Sequence, residues 1–138
     1  MENNYIEISP SRASIVKDHF GSFIYDKFII EFGASSGKTL NELNHKYRCE
    51  VKSYDLFPVN LNFCESEYFN IDDMNFNSIE DSLTKCDIVL FLDVLEHVKF
   101  PLDVIKNILS INPNVKIFII SPNFTSLRLL YAWYLGFM

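Results

Sequence analysis

The sequence predicts an α/β fold built on a doubly wound, mostly parallel sheet. Apolar runs alternate with helix-like segments along the chain, the pattern of strands wound back by helices. The runs "KFIIEF" and "DIVLFLDV" are apolar at consecutive positions, as strands covered on both faces require. At "IIEFGASSGKTL" (29–40) such a run passes through small residues straight into a helix-like segment. Repeats and low-complexity linkers are absent from the sequence, and its 138 residues fit a single domain over 1–138.

The elements follow in order. "SRASIVKDHF" reads as the first helix and "KFIIEF" (27–32) as the first strand. A helix over 36–47 places Leu40, Leu43 and Tyr47 on one face. "CEVKSYD" (49–55) alternates like a second strand ending at Asp55, and Pro58 with several asparagines leaves little room for a helix after it. "EYFNI" (67–71) is a short third strand, and 77–85 a short helix capped by Asn77 or Ser78. The fourth strand is 87–94. A helix over 100–111 has Pro101 in its first turn and Asp103 near the positive end of its dipole. The fifth strand, 115–122, stops at Pro122, and 124–135 is helix-like.

Hydrophobic residues at 49% and aromatics at 15% suffice for a core and argue against disorder. A net charge of −6 with scattered lysines and arginines argues against nucleic acid as a partner. Cys49, Cys64 and Cys86 show no metal or redox spacing and read as reduced thiols of a cytoplasmic protein, with no metal site. The polar amino terminus lacks an apolar signal region. The apolar tail "LRLLYAWYLGFM" contains Arg128 and falls short of the ~20 residues of a membrane span.

In such a sheet, ligands bind beyond the carboxyl ends of the strands. The first end carries Glu31, Gly33, Ala34, Ser35 and Gly37; the second ends in Asp55, placed to accept hydrogen bonds from two ribose hydroxyls. Asp72 and Asp73 follow the third, and "LDVLEHV" (92–98) the fourth. Gly33-Ala34-Ser35-Ser36-Gly37-Lys38 fails the GxGxxG pattern of a dinucleotide site. Gly37-Lys38-Thr39 fails as a phosphate loop, because only three residues separate Gly33 from Gly37.

The ExGxxxG spacing together with "DIVLFLDVLEHVKFPLDVIKNI" resembles the class I, Rossmann-like, S-adenosylmethionine-dependent methyltransferases, over about residues 25–125. Within them it looks most like the small-molecule type with a "DVLEHV" segment. The resemblance implies strand order 3-2-1-4-5 and S-adenosylmethionine as cofactor. Glu31, Gly33 and the turn through Ala34 and Ser35 to Gly37 would hold its methionine end. Asp55 would bind the ribose, with Leu56 against the adenine. Asp72 or Asp73, with the Met74 backbone, would read the adenine edge, and Leu92, Asp93 and His97 would line the methyl-donor side. Ser35 stands where the family usually has glycine, and its Cβ crowds the ligand.

His97 is the one plausible base in this set; a packing role in the turn is its alternative, and Glu96 reads as a solvated carboxylate. A complete fold of this family has two further strands beside the fifth, so the chain reads as the cofactor part of a methyltransferase with a small-molecule acceptor. Two alternatives stand beside it: an inactive cofactor-binding or assembly module, and a nicotinamide-linked oxidoreductase. An uncovered fifth strand next to an apolar helix predicts self-association.

Overall fold

The computed structural model describes residues 10–122. Its elements are α1 (Arg12–Phe20), β1 (Phe28–Phe32), α2 (Lys38–Tyr47), β2 (Glu50–Asp55), β3 (Glu65–Tyr68), α3 (Glu80–Lys85), β4 (Ile88–Leu92), α4 (Pro101–Ile111) and β5 (Lys116–Ile120). The strands form one sheet in the order β3-β2-β1-β4-β5, and every pairing in it is parallel. The predicted strand order and the doubly wound α/β class are therefore those observed.

The side-chain alternation of the central strands divides the core in two. Ile29, Val51, Ile88, Leu90 and Leu92 pack with Ala13 and Val16 of α1 and Leu40 and Leu43 of α2. Ile30, Phe32, Tyr54, Val89 and Phe91 pack on the other face with Leu83, Val104 and Ile108 from α3 and α4. The Phe32 ring stacks on Phe91 at 5.2 Å between centroids and on Tyr54 at 5.7 Å, joining β1 to both its neighbours. Pairing Glu31 with Ser53 and with Leu90 fixes the register, so β2 and β4 each run one residue past the end of β1.

The termini of the elements depart from the sequence reading. Ser11 caps α1 by accepting the Ser14 N–H. The second helix starts at Lys38 rather than 36, because Gly37 turns into the left-handed region at φ 72°. The third strand is Glu65–Tyr68, not 67–71. Lys52 binds Glu65 and Glu67 across the edge at 3.3 and 2.8 Å, while Ile71–Asp73 form a 3₁₀ turn with Asn70 capping it. Neither Asn77 nor Ser78 caps a helix over 77–85. The segment splits into a 3₁₀ turn at Phe76–Ile79 and α3, and the Ser78 hydroxyl donates to the Asn75 carbonyl instead. The fourth strand stops at Leu92, since Asp93 adopts φ 56°. The helix expected at 124–135 lies outside the described residues.

Candidate functional site

Two clefts open at the carboxyl ends of β1, β2 and β4, and they meet at Gly33. The first encloses about 330 Å³ between the start of α1, the end of β1 and the first turns of α2; Ser11, Arg12, Glu31, Ala34, Ser35 and Thr39 line it. The second encloses about 130 Å³ and is lined by Asp55, Leu56, Phe69, Ile71, Asp72, Val94, His97 and Val98.

Glu31 dominates the first cleft. The β1 alternation points it toward α1 and α2, where it is 4% exposed, and its Oε2 has no hydrogen-bond partner among the described residues. Burial pushes its carboxyl up to about 7; the Arg12 guanidinium opposes that rise and the Asp55 carboxylate adds to it. A buried acceptor without a donor is costly, and such groups mark places where something else is bound. Opposite it, α2 begins at Lys38 after the N-cap Gly37, has no side-chain cap and carries no acid in its first turn. The positive end of this helix therefore faces the cleft beside Lys38 and Thr39.

Gly33 joins the clefts. Its φ is 73°, and a Cβ there would stand 2.7 Å from Val94 Cγ2. Its N–H donates to the Tyr54 carbonyl at 2.8 Å. Ser35, also left-handed at φ 52°, donates its N–H to Asp55 Oδ2 at 3.1 Å, and Asp55 Oδ1 accepts the Phe57 N–H at 3.1 Å. Asp55 thus braces the turn after β1 as well as its own, while each oxygen keeps a second lone pair for another donor.

Gly37 lines neither cleft. Its missing Cβ makes room for Leu61 and Phe63, each 2.8 Å from where that atom would stand, so the residue packs α2 against the 56–64 loop. Asp72 faces the second cleft and accepts the Lys99 N–H at 3.0 Å, whereas Asp73 is exposed outside it. The Met74 N–H is already donated to the Ile71 carbonyl at 3.1 Å. Its side chain packs on the α3–α4 core, so the backbone donor expected to read a ligand edge is used inside the turn.

Leu92 likewise turns away from both clefts: it is 3% exposed and packs in the α1–α2 core. Asp93, expected on the methyl-donor side, lines neither cleft; its carboxylate accepts from Arg12 Nη2, forming an ion pair. His97 is not brought to the Glu31 side. It lies at the rim of the Asp55 cleft with its side chain 79% exposed. Glu96 is not solvated; its side chain is 9% exposed, and its Oε2 has no partner among the described residues.

Arg12 is one of the cleft residues that sequence reasoning missed, with Ser11 and Glu42 beside it and Ile71 and Val98 in the second cleft. Arg12 lies 81 residues from Asp93, and only the packing of α1 on the core it shares with α2 and β4 brings the two together. The cysteines are free thiols, with burial pushing Cys64 up to about 11 and Cys86 to about 12. These are poor nucleophiles. No cluster of potential metal ligands occurs among the described residues.

A methyltransferase-domain family model matches residues 11–137. No curated protein matches the chain. Three solved structures resemble it in fold. The N-terminal domain of EvdMO1 with SAH bound has a TM-score of 0.61 at 18% identity, over 80% of this chain and 49% of that one. A SAM-dependent methyltransferase from Archaeoglobus fulgidus has 0.55 at 23% identity, over 89% and 59%. The MycE methyltransferase of the mycinamycin biosynthetic pathway, in complex with Mg and SAH, has 0.54 at 16%, over 88% and 35%. The chain thus spans about half the length of the first two, or less of the third. With 127 consecutive residues under one model and the matching sheet order beneath them, this chain belongs to the methyltransferase-domain family.

Proposed function

We propose that the two clefts together bind S-adenosylmethionine and that the chain is the cofactor-binding part of a methyltransferase with a small-molecule acceptor. The observation that carries the reading is Glu31: a buried carboxylate, unpartnered among the described residues, in a cleft whose opposite wall is an uncapped helix start. An α-amino acid moiety suits that pair of features, its ammonium against Glu31 and its carboxylate against the first turn of α2. A nucleoside suits the second cleft, with Asp55 accepting from ribose hydroxyls, Leu56, Ile71 and Val98 against the base, and Asp72 at its edge. Gly33 lets one ligand run through both clefts. Bound there, the cofactor would supply an electrophilic methyl group on a sulfonium. The residues of this chain would fix its orientation and keep water from it.

The position of His97 favours a rim contact with the nucleoside over proton removal beside the methyl group. His97→Ala should therefore weaken cofactor binding by no more than a few-fold. In a catalytically competent form it should leave kcat within about threefold, far from the 10²–10⁴ loss expected of a missing base. Calorimetry with S-adenosylmethionine, S-adenosylhomocysteine and NAD in parallel tests the reading itself. The first two should bind at one site and NAD should not. Binding of NAD alone would favour the oxidoreductase reading, and binding of none would leave only the assembly-module reading standing.

A further inference from the structure

We propose that the first turn of α1 is a clasp over the Glu31 cleft, fastened on both banks, and that ligand exchange passes through its release. One fastening is the Ser11 hydroxyl. It accepts the Ser14 N–H as the helix cap and donates at 3.0 Å to Glu42 Oε1 on α2. The other is the ion pair from Arg12 to Asp93, at the end of β4. Ser11 and Arg12 are consecutive, so one turn of helix spans from α2 to β4 across the cleft mouth, and Ser11, Arg12 and Glu42 all line the cleft beneath.

Each tie is individually weak. The Arg12 and Asp93 side chains are 50% and 33% exposed, and exposed pairs hold loosely and are screened by salt. That is the property a clasp needs: closed at rest and opened by thermal motion, while the apolar face of α1 (Ala13, Val16) keeps the helix docked. The left-handed backbone of Asp93 is itself held in place, its N–H donating to the Ile120 carbonyl at 2.8 Å. The Asp93 bank is therefore a fixed anchor, and the Arg12 side chain is the part that moves.

The proposal rests on the cofactor reading of this cleft, so its test has one arm that needs no ligand. Hydrogen exchange of the α1 amides in the ligand-free chain should rise about two- to fivefold in Asp93→Asn and in Glu42→Ala, and further in the double variant. Lys46→Ala is the control: it removes the pair between Lys46 and Glu42 while leaving the Ser11 tie. Its α1 exchange should match the parent. The second arm measures S-adenosylhomocysteine association and dissociation by surface plasmon resonance. Both rates should rise by a similar factor in Asp93→Asn, with Kd within about twofold, and added salt should speed exchange in the parent more than in that variant.

Unchanged α1 exchange in both variants would overturn the clasp. So would a weakened Kd with unchanged association, which would make Asp93 a direct ligand contact. Failure of the parent to bind S-adenosylhomocysteine would count against the cofactor reading alone, since the exchange arm still reports on the two ties.

Discussion

Glu31 is the residue on which the proposed site turns, because its charge state is set by the fold. Its carboxyl stands at about 7 in the folded chain, against an ordinary value of 4.5. Between those two values the folded state holds a proton that the unfolded state has released. Glu31 therefore costs stability as pH rises from 4.5 to 7, by on the order of 3 kcal/mol when the rise is complete. Glu31→Gln removes this dependence. Urea titrations should find the variant about as stable as the parent near pH 4.5 and more stable above pH 7; a difference independent of pH would mean that the carboxyl is not desolvated. Binding should move the opposite way. An ammonium group beside Glu31 favours the carboxylate, so parental affinity for S-adenosylhomocysteine should climb about tenfold per pH unit up to 7 and then level, whereas the glutamine variant should bind weakly and without that slope. Asp55 carries a double role of another kind. Asp55→Ala releases the Ser35 and Phe57 N–H groups and should cost about 1.5–3 kcal/mol of binding per charged hydrogen bond lost to a ribose. Thermal denaturation of the ligand-free variant would register the loosened turns separately.

At the scale of elements, the buried strands were legible and the edge was not. "FIIEF" and "IVLFL" lie within two residues of their predicted bounds because both of their faces must be apolar. β3 reads "ESEY", polar on an edge where Lys52 supplies the partners, and apolar content therefore points two residues too far along at its start and three at its end. The same division runs through the site. Glu31, Gly33 and Asp55 line the clefts, as expected of residues whose places strand ends and backbone conformation fix. The directions of Met74 and Leu92 and the reach of Arg12 depend on turns and helix docking that no local pattern encodes. The turn after β1 shows how tightly two elements are coupled. Alanine at Gly33 meets Val94 Cγ2 and must also take a left-handed φ of 73°. The strain should cost about 1–2 kcal/mol and the clash roughly 1–3 kcal/mol more. Val94→Ala removes the clash alone. A double-mutant cycle by chemical denaturation should thus show Gly33→Ala costing less in the Val94→Ala background. Equal cost in both backgrounds would mean that the turn, and not Val94, dictates glycine.

For the whole molecule the decisive feature is what lies beside β5. Four strands are covered on both faces or shielded by charge, but among the described residues β5 pairs only with β4. Its sequence is "KIFII", with Ile119 46% exposed and Phe118 and Ile120 half-buried against the α1–α2 core. Alternate N–H and C=O groups of its outer side have no strand beside them within residues 10–122, and the only charge in the strand is Lys116 at its start. A strand of this composition is a template for another copy. The net charge of −6 opposes association at long range but is screened beyond about 10 Å at 0.1 M salt, so it does not protect an edge at contact. We therefore expect the 138-residue chain to self-associate at micromolar concentration, more strongly as salt is added. Ile119→Lys should shift it toward monomer by placing a charge in the middle of that edge, with little loss of stability because the side chain is already half in water. Sedimentation velocity over a range of salt concentrations reads both effects. A parent chain that sediments as a monomer at every concentration, unchanged by Ile119→Lys, would mean that the outer side of β5 does not pair between copies.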